Sequence, residues 1–91
     1  MREWKQWADY TAICVRGERH RQLRKFGFQE HTPEEWLAIL TEEVGELAKA
    51  IVEKRFGPPL MDANATIAKE AIQVAAVASA MVQQLKWERP V

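Results

Sequence analysis

The chain has 91 residues, the length of a single domain, so we treat residues 1–91 as one unit. A chain of this size buries only somewhat more than about 60% of its unfolded surface, which makes partner chains plausible. Thirteen basic residues balance thirteen acidic ones, which argues against nucleic acid as the main partner.

The single cysteine, Cys14, cannot form an internal disulfide and fits a small core residue in a reduced compartment. The first ten residues, MREWKQWADY, lack the apolar segment of a signal peptide. The longest apolar stretch, Val74 to Val82, is far shorter than the ~20 residues that span a bilayer. The sequence therefore predicts a soluble, cytoplasmic protein without a membrane segment.

The first predicted helix runs from about Arg2 to Lys25, where small and apolar residues recur at approximately helical spacing. Its second half, RGERHRQLRK, is rich in arginine. Alternating charge of this kind is typical of a solvated helix. The alternative is that one or two of these arginines contact a phosphate-bearing ligand.

The second predicted helix begins at Thr32-Pro33, after the interruption at Gly27. Threonine can cap a helix, proline suits its first position, and Glu35 completes a capping box. We expect this helix to reach about Lys54 or Arg55, before Phe56-Gly57-Pro58-Pro59.

The third predicted helix begins between Asp62 and Thr66, with Asp62 or Asn64 as its cap, and extends to about Lys86. Its many alanines favour helix and allow close helix packing. Together the pattern predicts an all-α fold, an antiparallel helical hairpin plus an N-terminal helix. Such a chain completes a four-helix-type bundle by oligomerisation, as a homodimer or homotetramer.

Acidic residues interrupt the apolar face of the second helix in the stretch TEEVGELAKAI. At about 100° per residue, Glu43 and Glu46 both fall within the apolar sector, while Glu42 lies at its margin. On the third helix Glu70 lies in the middle of an apolar stripe, with Gln73 one turn further along.

Two adjacent helices therefore each direct a polar pair into their packing surface. Buried carboxylates normally protonate, pair with a cation or bind a metal. Oxygen ligands without histidine or cysteine favour Mg²⁺, with Mn²⁺ as a substitute. The alternative is a solvated face with salt bridges to Lys49, Lys54 and Lys69.

These residues resemble the signature of the MazG-like, all-α nucleoside triphosphate pyrophosphohydrolases, which is E-E-x-x-E on one helix and E-x-x-D on a later one. The first half is present as Glu42-Glu43-Val44-Gly45-Glu46, followed by LAKA. The second half reads Glu70-Ala71-Ile72-Gln73, with glutamine in place of aspartate. The resemblance spans roughly Trp36 to Leu85.

The resemblance implies hydrolysis of a nucleoside or deoxynucleoside triphosphate between its α and β phosphates, in nucleotide-pool housecleaning. By position, Glu43, Glu46 and Glu70 would be Mg²⁺ ligands, and Gln73 occupies the fourth ligand position. Glu42 would orient or deprotonate the attacking water. The neutral Gln73 removes one negative charge and predicts an altered metal demand.

Candidate substrate contacts lie around this cluster. Trp36, two turns before Glu43, could stack on a base or anchor the core, and Trp7 could contact a base or pack at an interface. Lys49 and Lys54 could bind phosphate, and His31 in the interhelical loop could touch substrate.

Two other classes of function stay open at this point. One is a catalytically weak nucleotide-binding or regulatory module, and the other is a structural interaction protein without a metal. The sequence leaves undetermined the base, the sugar, the number of metal ions and the choice between dimer and tetramer.

Overall fold

The computed structural model describes residues 2–59 and 61–87, and this part of the chain is all-α. The helices are α1 (Arg2–Phe26), α2 (Pro33–Phe56) and α3 (Ala63–Trp87). All three predicted helices are confirmed, each within one or two residues of its predicted ends.

Local hydrogen bonds fix where α2 begins. Thr32 Oγ1 accepts from the Glu35 amide at 3.1 Å, and the Thr32 amide donates to Glu35 Oε1 at 2.8 Å. These two bonds form the predicted capping box, with Pro33 in the first turn. The hydrogen bond from Thr32 holds the pKa of the Glu35 carboxyl below its ordinary value.

The other helix ends follow from short-range chemistry as well. α1 ends at Gly27, whose φ of 73° lies in the left-handed region and whose amide donates to the Leu23 carbonyl. At the start of α3 the Asp62 carbonyl accepts from the amide and the hydroxyl of Thr66. Asn64 instead accepts from Lys54 Nζ across the hairpin.

α3 is the central helix, because it packs against both α1 and α2. Within the described residues α1 and α2 make no direct packing contact with each other. Trp36 near the start of α2 contacts Gln84 near the end of α3, while Lys54 meets Asn64 at the opposite end. The α2/α3 pair is therefore an antiparallel hairpin, as predicted.

The core of a single chain is small. Among the described residues, the buried apolar side chains are Trp36, Ala76, Val77 and Ala80. The accessible surface is 7535 Å², against roughly 5,400 Å² for a compact monomer of this mass. The radius of gyration is 15.2 Å, where about 12 Å is typical of a compact domain of this length.

Many large apolar side chains are exposed, and two groups of them matter for packing. The first is the N-terminal half of α1, with Trp4, Trp7, Tyr10 and Ile13. The second is one side of the hairpin, which we call the outer hairpin face. Its members are Leu37, Leu40, Val44, Ile51, Ala78, Val82 and Leu85, of which all but Leu40 are exposed.

Residues 63–86 of α3 are long and apolar enough to cross a bilayer by length and composition, and 17% of the tested window is buried. The longest apolar stretch within this helix is shorter, from Val74 to Val82. The core helix of a helical bundle can have the same length and apolar composition. These two properties therefore do not distinguish a membrane-spanning α3 from an α3 that packs against other helices.

Candidate functional site

A cleft of about 360 Å³ lies where α1, the loop after it and the α2/α3 hairpin meet. Part of its wall is apolar and is formed by Phe26, Trp36, Ile39, Val77 and Ala80. The remaining wall is polar and is formed by Arg19, Arg21, Gln22, Gln29, His31, Glu43 and Gln73. The volume is that of a small-molecule site, and polar residues outnumber apolar ones in its wall.

Glu43 is the carboxylate of this cleft. It is half-buried on α2, and loss of solvent is the main cause that raises the pKa of its carboxyl. Repulsion from Glu70 and Glu42, and then from Glu46 and Glu18, raises the Glu43 pKa further. All three helices thus direct negative charge toward Glu43, and a bound cation would relieve that repulsion.

The donor chemistry fits a hard cation, since Glu43 and Gln73 offer oxygen atoms to the same cleft. The side-chain positions do not yet form a coordination shell. In residues 2–59 and 61–87 no three His, Cys, Asp or Glu side chains are arranged to hold a metal ion. Any metal bound here would have to draw its carboxylates closer together.

The predicted acidic residues are placed unequally. Glu43, Glu70 and Gln73 are half-buried, as their helical positions predict. Glu42 is exposed, in agreement with its place at the margin of the apolar sector. The prediction that Glu46 points inward is wrong for the single chain, where Glu46 is exposed. Since α1 packs on α3 and not on α2, nothing in the described chain covers that flank of α2.

One hydrogen-bonded group joins the loop to both helices of the hairpin. Gln84 is buried, and its Oε1 accepts from Trp36 Nε1 at 2.6 Å and from the His31 amide at 2.9 Å. Its Nε2 donates to the His31 carbonyl at 2.8 Å. The His31 ring meets the Trp36 ring edge-on, with centroids 4.8 Å apart. This group fixes the loop that closes one end of the cleft.

Two of the predicted substrate contacts line the cleft, Trp36 and His31. Trp36 is only 4% exposed, which favours the alternative of a core anchor and leaves little ring surface for stacking. His31 Nε2 is buried and lacks a hydrogen-bond partner among the described residues. Stacking of Trp36 on a base and contact of His31 with substrate stay predictions.

The other three predicted contacts lie outside the lining of this cleft. Trp7 is 70% exposed in the N-terminal half of α1. Lys49 is exposed on α2, and Lys54 bonds Asn64 at the far end of the hairpin. If Trp7 contacts substrate, it does so from a neighbouring chain or after a rearrangement of α1.

Sequence reasoning favoured a solvated second half of α1 and did not predict that this part forms a wall of the cleft. Arg19, Gln22 and Phe26 are three or four residues apart, about one turn each, and all three line the cleft. That spacing was a usable signal, but the density of charge made this part of α1 look solvated. Gln84 also went unnoticed, although it lies three turns after Gln73 on α3.

Comparison of the chain with protein-family models, with curated proteins and with solved structures found no significant match.

Proposed function

We propose that the protein is a Mg²⁺-dependent hydrolase that converts a nucleoside or deoxynucleoside triphosphate to the monophosphate and pyrophosphate. The observation that supports this most is the position of Glu43. It lies in a cleft of small-molecule size, beside the oxygen donor Gln73 and under repulsion from carboxylates of all three helices. A divalent cation bound to a triphosphate would balance this charge.

In this proposal Glu43, Glu46, Glu70 and Gln73 hold Mg²⁺, and Glu42 orients or deprotonates the attacking water. When bound, Mg²⁺ would supply positive charge that offsets the charge developing on the leaving pyrophosphate. Glu42 is exposed beside Glu43, so it can accept a proton without the cost of burying its charge. Gln73 offers an amide oxygen in place of a fourth carboxylate, so we expect weak binding of any second ion.

We further propose that chains associate through the outer hairpin face as a homodimer or homotetramer with a four-helix-type bundle. The accessible surface exceeds that of a compact monomer by roughly 2,000 Å², and a specific interface buries about 800 Å² per partner. Leu37, Val44 and Ile51 follow each other at intervals of seven residues, the spacing of a helix-packing seam.

A bundle in the cytoplasm accounts for the polar residues of α3 better than a bilayer does. Glu70 and Gln73 lie within the apolar part of α3, and an ionisable side chain at membrane depth is costly. We therefore propose a cytoplasmic protein whose role is nucleotide-pool housecleaning.

Pyrophosphate release over a panel of nucleoside and deoxynucleoside triphosphates tests the proposal. We expect Mg²⁺-dependent turnover that Glu43→Gln reduces at least a hundredfold, since the change removes a ligand charge while preserving shape. Glu53→Gln is the matched control, because Glu53 is an exposed glutamate of the same helix. Gln73→Asp should bind Mg²⁺ more tightly. Absence of turnover over the whole panel would refute the enzymatic proposal.

One observation favours a second candidate, a nucleotide-binding module with little catalysis. The described acidic side chains are not arranged as a metal site, and Gln73 lacks the charge of an aspartate. Nucleotide binding by calorimetry without pyrophosphate release would identify this function.

A further inference from the structure

Arg19 is a cation on the wall of the cleft that lacks a counter-charge. It is half-buried on α1 and shares the cleft with Glu43 and Gln73. Its Nη1 donates to Gln22 Oε1 at 2.9 Å, and its Nη2 donates to Gln83 Oε1 at 3.1 Å. Both acceptors are neutral amides. Its Nε is buried without a hydrogen-bond partner, and no carboxylate of the described chain pairs with it.

Arg21, two residues further along α1, is held in a different way. Its Nε donates to Glu18 Oε1 at 2.9 Å and its Nη2 donates to Glu18 Oε2 at 2.7 Å. Glu18 therefore already compensates the charge of Arg21 within the chain. The contrast leaves Arg19 as the cleft arginine whose positive charge is available to a ligand.

An anion would satisfy Arg19 better than the two amides do. A half-buried guanidinium has lost part of its contact with water, and neutral acceptors compensate only part of the free energy lost. Hydrogen bonds from a guanidinium to an anionic oxygen are roughly twice as strong as bonds between neutral groups. The planar fork of arginine also matches the spacing of two phosphate oxygens. A phosphate can therefore displace Gln22 or Gln83 from Arg19.

We propose that Arg19 binds a phosphate group of the ligand that occupies the cleft. This inference rests on the proposed function in one respect, which is that the ligand is a nucleoside triphosphate. In such a complex, part of the phosphate chain meets Arg19 on α1 while the rest faces the carboxylates of α2 and α3. The α1 helix then supplies the positive side of a site whose other side is negative.

Calorimetric titration with inorganic pyrophosphate, once in EDTA and once in Mg²⁺ to offset repulsion from Glu43 and its neighbours, tests the phosphate contact without nucleotide turnover. We expect the parent protein to bind, and Arg19→Gln to weaken binding roughly tenfold or more. Arg19→Lys keeps the charge but not the fork, so it should lie between the two. Arg16→Gln is the matched control, because it removes the same charge from an exposed position of α1 and should bind like the parent. Circular dichroism and the melting temperature verify that each variant is folded.

Parallel titrations with a nucleoside triphosphate and with the free nucleoside identify the source of the phosphate. Binding of both polyphosphates that depends on Arg19 indicates recognition of the phosphate chain itself. Binding of the nucleoside triphosphate alone, again weakened by Arg19→Gln, indicates recognition as part of a nucleotide. A loss of nucleoside binding equal to the loss of triphosphate binding would contradict the phosphate contact.

If the protein binds neither pyrophosphate nor the nucleoside triphosphate, the inference is wrong. It is also wrong if Arg16→Gln and Arg19→Gln weaken polyphosphate binding equally. The outcome is separable from that of the hydrolase proposal. Arg19-dependent binding in EDTA together with no turnover in Mg²⁺ would refute the enzyme and leave the anion contact intact.

Discussion

The two sides of the α2/α3 hairpin differ in polarity and in exposure. The side that faces the cleft and Arg19 of α1 carries Glu43 and Gln73, both polar and half-buried, beside the buried apolar core. The outer hairpin face is apolar and lies open, with Val82 57% exposed. Polar groups are thus enclosed where apolar ones would stabilise the chain more. Under the proposed function, the cleft side takes the ligand and the outer side takes another chain.

The largest effect should come from placing a charge on the outer hairpin face. Val82→Glu buries a carboxylate without a partner if this face associates, which should weaken association by about 3 kcal/mol or more, roughly a hundredfold in Kd. Sedimentation velocity over a range of concentrations measures the shift toward the monomer.

Val52→Glu is the control for that change. Val52 is 54% exposed, close to Val82, but it lies outside the outer hairpin face. It should leave the oligomeric state as it is. If both variants associate like the parent, the outer hairpin face is not the interface, and the comparison of the two sides loses its explanation.

An effect of intermediate size should come from the polar group at the end of the cleft. Gln84→Ala leaves the Trp36 indole and the His31 amide without their acceptor, which should lower the free energy of unfolding by about 2 kcal/mol. Urea unfolding followed by circular dichroism measures the change. The neighbouring Gln83→Ala removes an exposed hydrogen bond and should change stability by about 0.5 kcal/mol or less. If the two variants lower the free energy of unfolding equally, the hydrogen bonds of Gln84 contribute no more to stability than an exposed hydrogen bond.

The smallest effect should be the pH dependence contributed by Glu43. Because its pKa is raised in the folded state, that state binds protons more tightly than the unfolded chain, and stability falls as pH rises above the ordinary carboxyl pKa. Glu43→Gln removes this loss, so the variant should melt at a higher temperature than the parent at neutral pH. The two melting temperatures should become equal at a pH below the ordinary carboxyl pKa.

Melting curves between acid and neutral pH, with Glu53→Gln as the exposed control, measure this difference. Under the proposed function, Mg²⁺ should also raise the melting temperature of the parent more than that of Glu43→Gln. Identical melting of parent and variant at every pH would show that Glu43 is not under charge repulsion.

Short-range chemistry made the helices predictable from sequence. Thr32, Pro33 and Glu35 are neighbours along the chain, so the start of α2 could be derived without knowledge of any other helix. The inward positions of Glu43 and Glu70 also followed from helical periodicity, since each lies in the middle of an apolar stripe.

What could not be predicted depends on which helices meet. Periodicity locates an apolar sector on one helix but does not say how much of it a neighbour covers. Glu46 lies at the side of that sector, and it is exposed because α1 packs on α3 and leaves α2 uncovered there. The half-burial of Arg19 was likewise not predicted, because it depends on which part of α1 packs against Gln83 of α3.

The central place of α3 has a consequence for the order in which the protein folds. α1 and α2 both precede α3 in the chain, and neither packs on the other in the described structure. During synthesis the capping box of α2 can form early, because its bonds span three residues. The contact between Arg19 and Gln83 spans 64 residues, so α1 waits for α3 to leave the ribosome. Tertiary contacts should therefore form late in synthesis, with α3 as the helix on which both earlier helices assemble.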